Sequence, residues 1–310
     1  DLHSFPTRRS SDLLLGVSQR YGSIVIRRSD DNGNTWTHPR DETSGLLFRG
    51  GSGRIPPNYH GAPVPVLLHK GRLYRAFEDY RPANPACDWT AAGFQSLVIS
   101  CPADADLLRA DSWTMSNRVA FDPAWVPSAW GRLREPGWLE GNVVAAPDNT
   151  LCNVIRFNAN PICWDHAAML TLSDDGRHLA FDPATGFLDF PGGHTKFTIR
   201  TDPVEGGYLT IANGNLDPQA PPNRSVLSLY RSRDLRNWQW SGTLLRHDPA
   251  IPRETAFGQI GFQYVDWLFD GEDLLLLVRT AIDGAHNYHD SNHIIFHRIR
   301  NFRQLKGSAT

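Results

Sequence analysis

The chain has 310 residues, 40% of them apolar and 21% charged, with 10 Trp, 15 Phe and a formal charge of −2. That balance excludes a disordered chain and a binder driven by phosphate electrostatics, so neither nucleic acid nor a membrane surface is expected as a partner. The longest aliphatic run, Leu274–Val278, falls far short of the roughly 20 residues a spanning helix needs.

Ser4–Leu13 reads as an in-frame translation of a sequencing-library adapter, so residues 1–13 are set aside and the native reading is expected to begin near Leu14. From there, short β-type runs bounded by Gly, Pro, Asn and Asp recur, and only 102–110 reads as helical. One element, an apolar strand followed by a polar turn and a Trp or Phe, begins at Ser23, Ser96, Ala168, Val226 and Ile294. It closes on Trp36, Trp113, Phe181, Trp238 and Phe302. Hairpin-like pairs precede the last four copies: Pro63–Leu68 with Arg72–Phe77, Asn142–Ala146 with Leu151–Phe157, Lys196–Arg200 with Tyr208–Asn213, and Tyr264–Phe269 with Asp273–Thr280. Repeated four-stranded antiparallel units predict an all-β fold, a β-propeller rather than a sandwich. The first copy lacks its opening strands. Four complete blades and part of another are therefore expected in one domain over 14–302, with 303–310 as a tail.

Cys87, Cys101, Cys152 and Cys163 show no Cys-x-x-Cys spacing. Cys152 and Cys163 lie on neighbouring strand-like runs, where either a hairpin disulfide or two buried thiols fits the pattern.

The first turn, Ser29-Asp30-Asp31-Asn32-Gly33-Asn34-Thr35-Trp36, has the full Ser-x-Asp-x-Gly-x-Thr-Trp pattern, with degenerate copies at Ser173–Gly176 and Ser232–Trp238. An Asp side chain there accepts backbone N–H groups, Gly allows positive φ and Trp packs, so Asp31 is expected to be structural. A propeller carrying these Asp boxes resembles the sialidase superfamily. More narrowly the chain is similar to bacterial sialidase-family proteins through Trp138-Leu139-Glu140-Gly141-Asn142, Gly261–Trp267 and Ala285–Asp290. The resemblance implies six blades, an anionic glycan as substrate, no cofactor, a monomer, and a secreted or periplasmic location.

It also implies three arginines holding a substrate carboxylate, a Tyr/Glu nucleophile pair and an acidic acid/base. Arginines recur at strand ends as Arg75, Arg156, Arg200 and Arg279, and guanidinium forks suit carboxylates. Either these converge on one channel or each pairs with an acid at a seam between blades. Tyr264 with Glu140 is the natural nucleophile pair and Asp79 a candidate acid/base. His60 and His289 are alternative proton-transfer groups. Glu78, Asn142, Gln263, Asp266 and His286 join Arg156, Arg200 and Arg279 as candidate substrate contacts. Tyr264 precedes Arg279, the reverse of the order the resemblance implies for nucleophile and last arginine. The spacing of His286, His289 and Asp290 matches no strong zinc pattern, so no metal is assigned. The expected function is hydrolysis of a terminal anionic sugar. A lyase acting on uronic-acid polysaccharide, or a non-catalytic glycan-binding propeller, would use the same scaffold.

Overall fold

The structure, a computed structural model, describes residues 12–17, 22–51, 55–83, 89–159, 165–215 and 223–305. It is all-β, with five antiparallel sheets following one another along the chain. The first contains β1 (Asp12–Val17), β2 (Ile24–Ser29) and β3 (Leu46–Phe48). The second sets β4 (Tyr59–His60) and β5 (Leu67–His69) along β6 (Arg72–Tyr80), followed by β7 (Phe94–Pro102), which pairs with β8 (Thr114–Met115) and β9 (Val119–Ala120). The third contains β10 (Gly137–Ala145), β11 (Leu151–Asn158) and β12 (His166–Leu172), with β13 (Leu179–Ala180) and β14 (Phe187–Asp189) both on β12. The fourth runs β15 (Thr198–Thr201), β16 (Tyr208–Ala212), β17 (Val226–Ser232) and β18 (Trp238–Arg246). The fifth has β19 (Gly261–Asp270), β20 (Asp273–Ala281) and β21 (His293–Ile299).

Period-two patterning turns these strands into stackable sheets. In β20, Leu274, Leu276 and Val278 are buried while Leu277 faces outward. Each sheet packs on the next through a shared core, in the manner of propeller blades. Ile24 and Ile26 meet Phe77, Leu97 and Ile99 at the first seam. Tyr74 and Val98 meet Trp138, Ile155 and Phe157 at the second. Val154 and Ala167 meet Phe197 and Tyr230 at the third, and Leu209 and Leu229 meet Trp267, Leu276 and Val278 at the fourth. Among the described residues, no core cluster joins the first sheet to the fifth. Full burial of one large apolar side chain is worth about 2–3 kcal/mol, so these seams carry the stability of the fold.

Three sheets complete the expected four-strand path, not four. The fifth stops at three strands because Phe302, expected on an outer strand, sits in a 3-10 turn (Phe302–Gln304) and is buried in the fourth seam. The helical reading of 102–110 also fails: that stretch is a series of turns before a short 3-10 segment, Ala110–Ser112. The single α-helix among the described residues is α1 (Arg253–Gln259), which enters behind Pro252 and buries Ala256. Strand β1 begins at Asp12, within the segment set aside from the sequence.

The first turn motif makes the carboxylate bonds expected of it, but Trp36 is half-buried and joins no core cluster among the described residues. Asp31 accepts hydrogen bonds from the Thr35 hydroxyl (2.6 Å) and N–H (2.8 Å) and from Ser29 Oγ (2.8 Å). These bonds hold its carboxyl down at about 2. Trp36 donates its indole N–H to the Gly33 carbonyl at 2.9 Å, closing its own turn. In the copy at 232–238, Trp238 makes the same bond to Leu235 at 3.1 Å, and Leu235 takes the left-handed conformation (φ 65°). Cys152 is a buried free thiol, whereas Cys87 and Cys163 lie outside the described residues.

Candidate active site

The site is built on two irregularities in otherwise regular strands. Pairing of β10 with β11 jumps a residue between Leu139 and Gly141, and pairing of β19 with β20 jumps between Gln263 and Asp266. At these bulges Glu140 has φ 65° and Tyr264 φ 52°, a region non-glycine residues seldom occupy. Backbone strain of this kind costs on the order of 1–3 kcal/mol and concentrates at functional sites. Gly141 is required at the first bulge, because a Cβ there would lie 2.3 Å from Asn153 Oδ1.

The two strained residues meet. The Tyr264 phenol lies beside the Glu140 carboxylate and the Arg156 guanidinium, close enough for each to act on its proton affinity. Arg156 Nη1 also bonds Glu140 Oε2 at 2.8 Å. Burial works against ionisation of Glu140, but the charge of Arg156, the neighbouring His60 and the hydrogen bonds hold its carboxyl below the usual glutamate value. Burial and then the Glu140 charge push the Tyr264 phenol up to about 12. The result is a neutral phenol beside an ionised carboxylate.

Arginines surround this pair. Arg279 stacks its guanidinium 5.0 Å from the Tyr264 ring centroid and is aimed by bonds to Ser291 Oγ (2.8 Å) and the His289 carbonyl (2.6 Å). Arg224, a residue the sequence reading missed, is buried against the same group. Burial, with Arg156 next to it, lowers its guanidinium to about 10, while Tyr264 and Glu140 act in the opposite sense. Arg224 is fixed by a bond to Gln263 Oε1, and its own carbonyl accepts the Phe262 N–H at 2.8 Å. The signal for it was its place in the chain: it is an arginine ahead of Tyr264, where Arg279 comes after.

The other expected residues divide. Glu78 and His60 belong to the cluster: His60 Nδ1 lies 2.8 Å from Glu78 Oε2, and Glu78 Oε1 accepts the Glu140 N–H at 2.7 Å. Burial opposes protonation of His60, but the Glu78 bond and charge and the charge of Glu140 raise it above the usual histidine value. Gln263 is buried and anchors the 288–291 loop through the Tyr288 (2.7 Å) and His289 (2.9 Å) carbonyls. His289 borders Arg224 and Arg279, and burial lowers its imidazole. His286 is far out on that loop, bonded to Asp290 at 3.1 Å.

Asp79 is not in the cluster. It is fully buried and saturated by the Asn58 N–H (2.8 Å), Arg81 (2.8 Å) and Arg118 (2.7 Å). Asn142 stitches two blades, donating to the Phe197 carbonyl and accepting the Ile199 N–H, each at 3.2 Å. Arg200 pairs with Asp266 across the fourth seam at 3.1 Å, and Arg75 donates to the Leu15 and Ala62 carbonyls. A surface cleft between Asp202, Glu205, Arg231 and Asp234 holds none of the expected site residues.

No family model and no curated protein sequence matches the chain. Solved structures do. An intramolecular trans-sialidase from Ruminococcus gnavus superposes with a TM-score of 0.50 at 17% identity, over 92% of this chain and 52% of that one. An exo-β-1,3-galactanase from Clostridium thermocellum gives 0.53 at 13%, over 94% and 57%. An α-L-arabinofuranosidase from Lactobacillus brevis gives 0.51 at 12%, over 94% and 87%. Identities this low show the shared fold alone. The chain spans about half the length of the first two.

Proposed function

We propose that the protein is a glycoside hydrolase acting on an anionic sugar, with Tyr264 as nucleophile. The observation that carries this reading is the Tyr264–Glu140 contact between two strained bulges, ringed by Arg156, Arg224 and Arg279. Its chemistry is coherent. The guanidinium groups bind the carboxylate of the substrate. A neutral phenol approaches an anionic sugar with less repulsion than a carboxylate would. As the Tyr264 oxygen attacks the anomeric carbon, ionised Glu140 accepts its proton. His60, held protonated by Glu78, donates a proton to the departing oxygen, and water then cleaves the glycosyl–tyrosine bond. Asp79, locked in its ion network, takes no part.

Fluorogenic glycosides of sialic and uronic acids test this. Tyr264→Phe should lower kcat by at least about 10²-fold with the fold intact. A Tyr264→Phe variant as active as the parent on the same glycoside would refute the assignment. Products absorbing in the ultraviolet as unsaturated uronates would indicate elimination instead of hydrolysis.

A further inference from the structure

A β-bulge leaves backbone groups that the neighbouring strand cannot satisfy, and a buried orphan of this kind costs about 1–3 kcal/mol. Both bulges of the site solve this alike. At the first, the unmatched N–H of Glu140 and that of Gly141 point at Glu78 Oε1, at 2.7 and 3.2 Å. Glu78 comes from the preceding blade and is 1% exposed. At the second, the Val265 carbonyl accepts bonds from Lys196 Nζ and from Thr198 Oγ1 (3.0 Å). Lys196 again comes from the preceding blade, is 2% exposed and also donates to Thr198 Oγ1 at 2.6 Å. Each charge has the sign its backbone partner calls for, since a carboxylate receives N–H groups and an ammonium donates to a carbonyl.

We infer that Glu78 and Lys196 are a pair of positioning residues that clamp the Glu140 and Tyr264 bulges from the adjacent blades and so fix the approach of phenol to carboxylate. A lysine and a glutamate this deeply buried are costly to keep charged, and a regular strand would need neither. Their groups face His60, Glu140 and Arg75 around Glu78, and Arg75, Arg200, Asp266 and Glu140 around Lys196. Each clamp thus sits among groups of both signs rather than as an isolated ion. It rests on the glycosidase reading for its catalytic consequence, but its structural part stands apart from any substrate.

The test separates these parts. Amide exchange is followed at residues 140–141 in Glu78→Ala and at 264–267 in Lys196→Met. It should quicken about 10- to 100-fold there while the rest of β10 and β19 stays protected. Glu78→Gln, which keeps an acceptor oxygen, and Lys196→Gln, which keeps a donor, should restore most of that protection. In the turnover assay, Glu78→Ala and Lys196→Met should lose about 10- to 100-fold in kcat with KM within about twofold, since sub-ångström misplacement acts on the chemical step. Unchanged local exchange in both variants, or a loss of turnover that comes only from fewer folded molecules with kcat per folded molecule intact, would overturn the clamp. Parent-level activity in Tyr264→Phe would instead remove Tyr264 as nucleophile, and a parent that turns over no glycoside would remove the glycosidase reading; the exchange result then decides the clamp.

Discussion

At the scale of single residues, what distinguishes the site is the separation of proton affinities within one buried group. Glu140 is held below the ordinary glutamate value and His60 above the ordinary histidine value, both against the pull of burial. If Glu140 is the base and His60 the acid, the active pair is Glu140 ionised with His60 protonated. Glu140 keeps its charge as pH falls below about 4.5, and His60 keeps its proton as pH rises past about 6.5. The pH profile of kcat/KM should therefore be bell-shaped, with an acid limb below about 4.5 and an alkaline limb above about 6.5. His60→Gln should abolish the alkaline limb and lower the plateau, which a pH series on one fluorogenic substrate will show. An unaltered alkaline limb would exclude His60 as the acid.

At the scale of elements, the sequence motif Trp-Leu-Glu-Gly-Asn becomes intelligible as a bulge with its fittings. Trp138 fills the second seam, Glu140 takes the bulge position beside Tyr264, Gly141 makes room for Asn153, and Asn142 ties the third blade to the fourth. Gly141→Ala should cost about 1–3 kcal/mol and several degrees of Tm, because Asn153 is buried and bonded to Ser96 Oγ at 3.0 Å. Gly258→Ala, in α1 with open space at its Cβ, should instead be neutral or stabilise by up to about 1 kcal/mol in the same thermal scans. Equal losses in both would contradict the steric account. Strand runs and turn motifs were legible because period two and Ser-x-Asp turns are local signals. The short outer strands, α1 and the pairing of Asp79 with Arg118 were not, because tertiary contacts decide them. Lys196 was hidden for the same reason, since nothing beside it in sequence says that Val265 lies opposite, and for Arg224 only its place ahead of Tyr264 in the chain pointed to it.

At the scale of the molecule, the sheets form a stack with two unlike ends. The outer face of the fifth sheet leaves Leu277, Ile294 and Phe296 exposed at 55%, 77% and 58%. Cross-strand pairing sets Leu277 beside Phe296 and Ile294 beside Arg279, so this is one continuous patch. Every interior sheet covers such a face with its neighbour, and an exposed apolar sheet face invites association. The isolated chain should therefore self-associate as its concentration rises, whereas the sequence reading expects a monomer. Ile294→Thr with Phe296→Thr should reduce that association in sedimentation experiments while leaving Tm within a few degrees. Equal association by parent and double variant would place the contact elsewhere.

The fourth sheet separates the strand that carries Glu140 from the strand that carries Tyr264. One of its faces packs Ile199 and Tyr230 toward the third sheet, and the other packs Leu209 and Leu229 toward the fifth. It is a wedge whose thickness and twist set the spacing of Glu140 and Tyr264, neither of which it contains. A methyl group gained or lost at Leu229 or Tyr230 therefore works like a turn of an adjusting screw. On the proposed mechanism, turnover can be tuned from a face of the fourth sheet remote from the Tyr264–Glu140 pair.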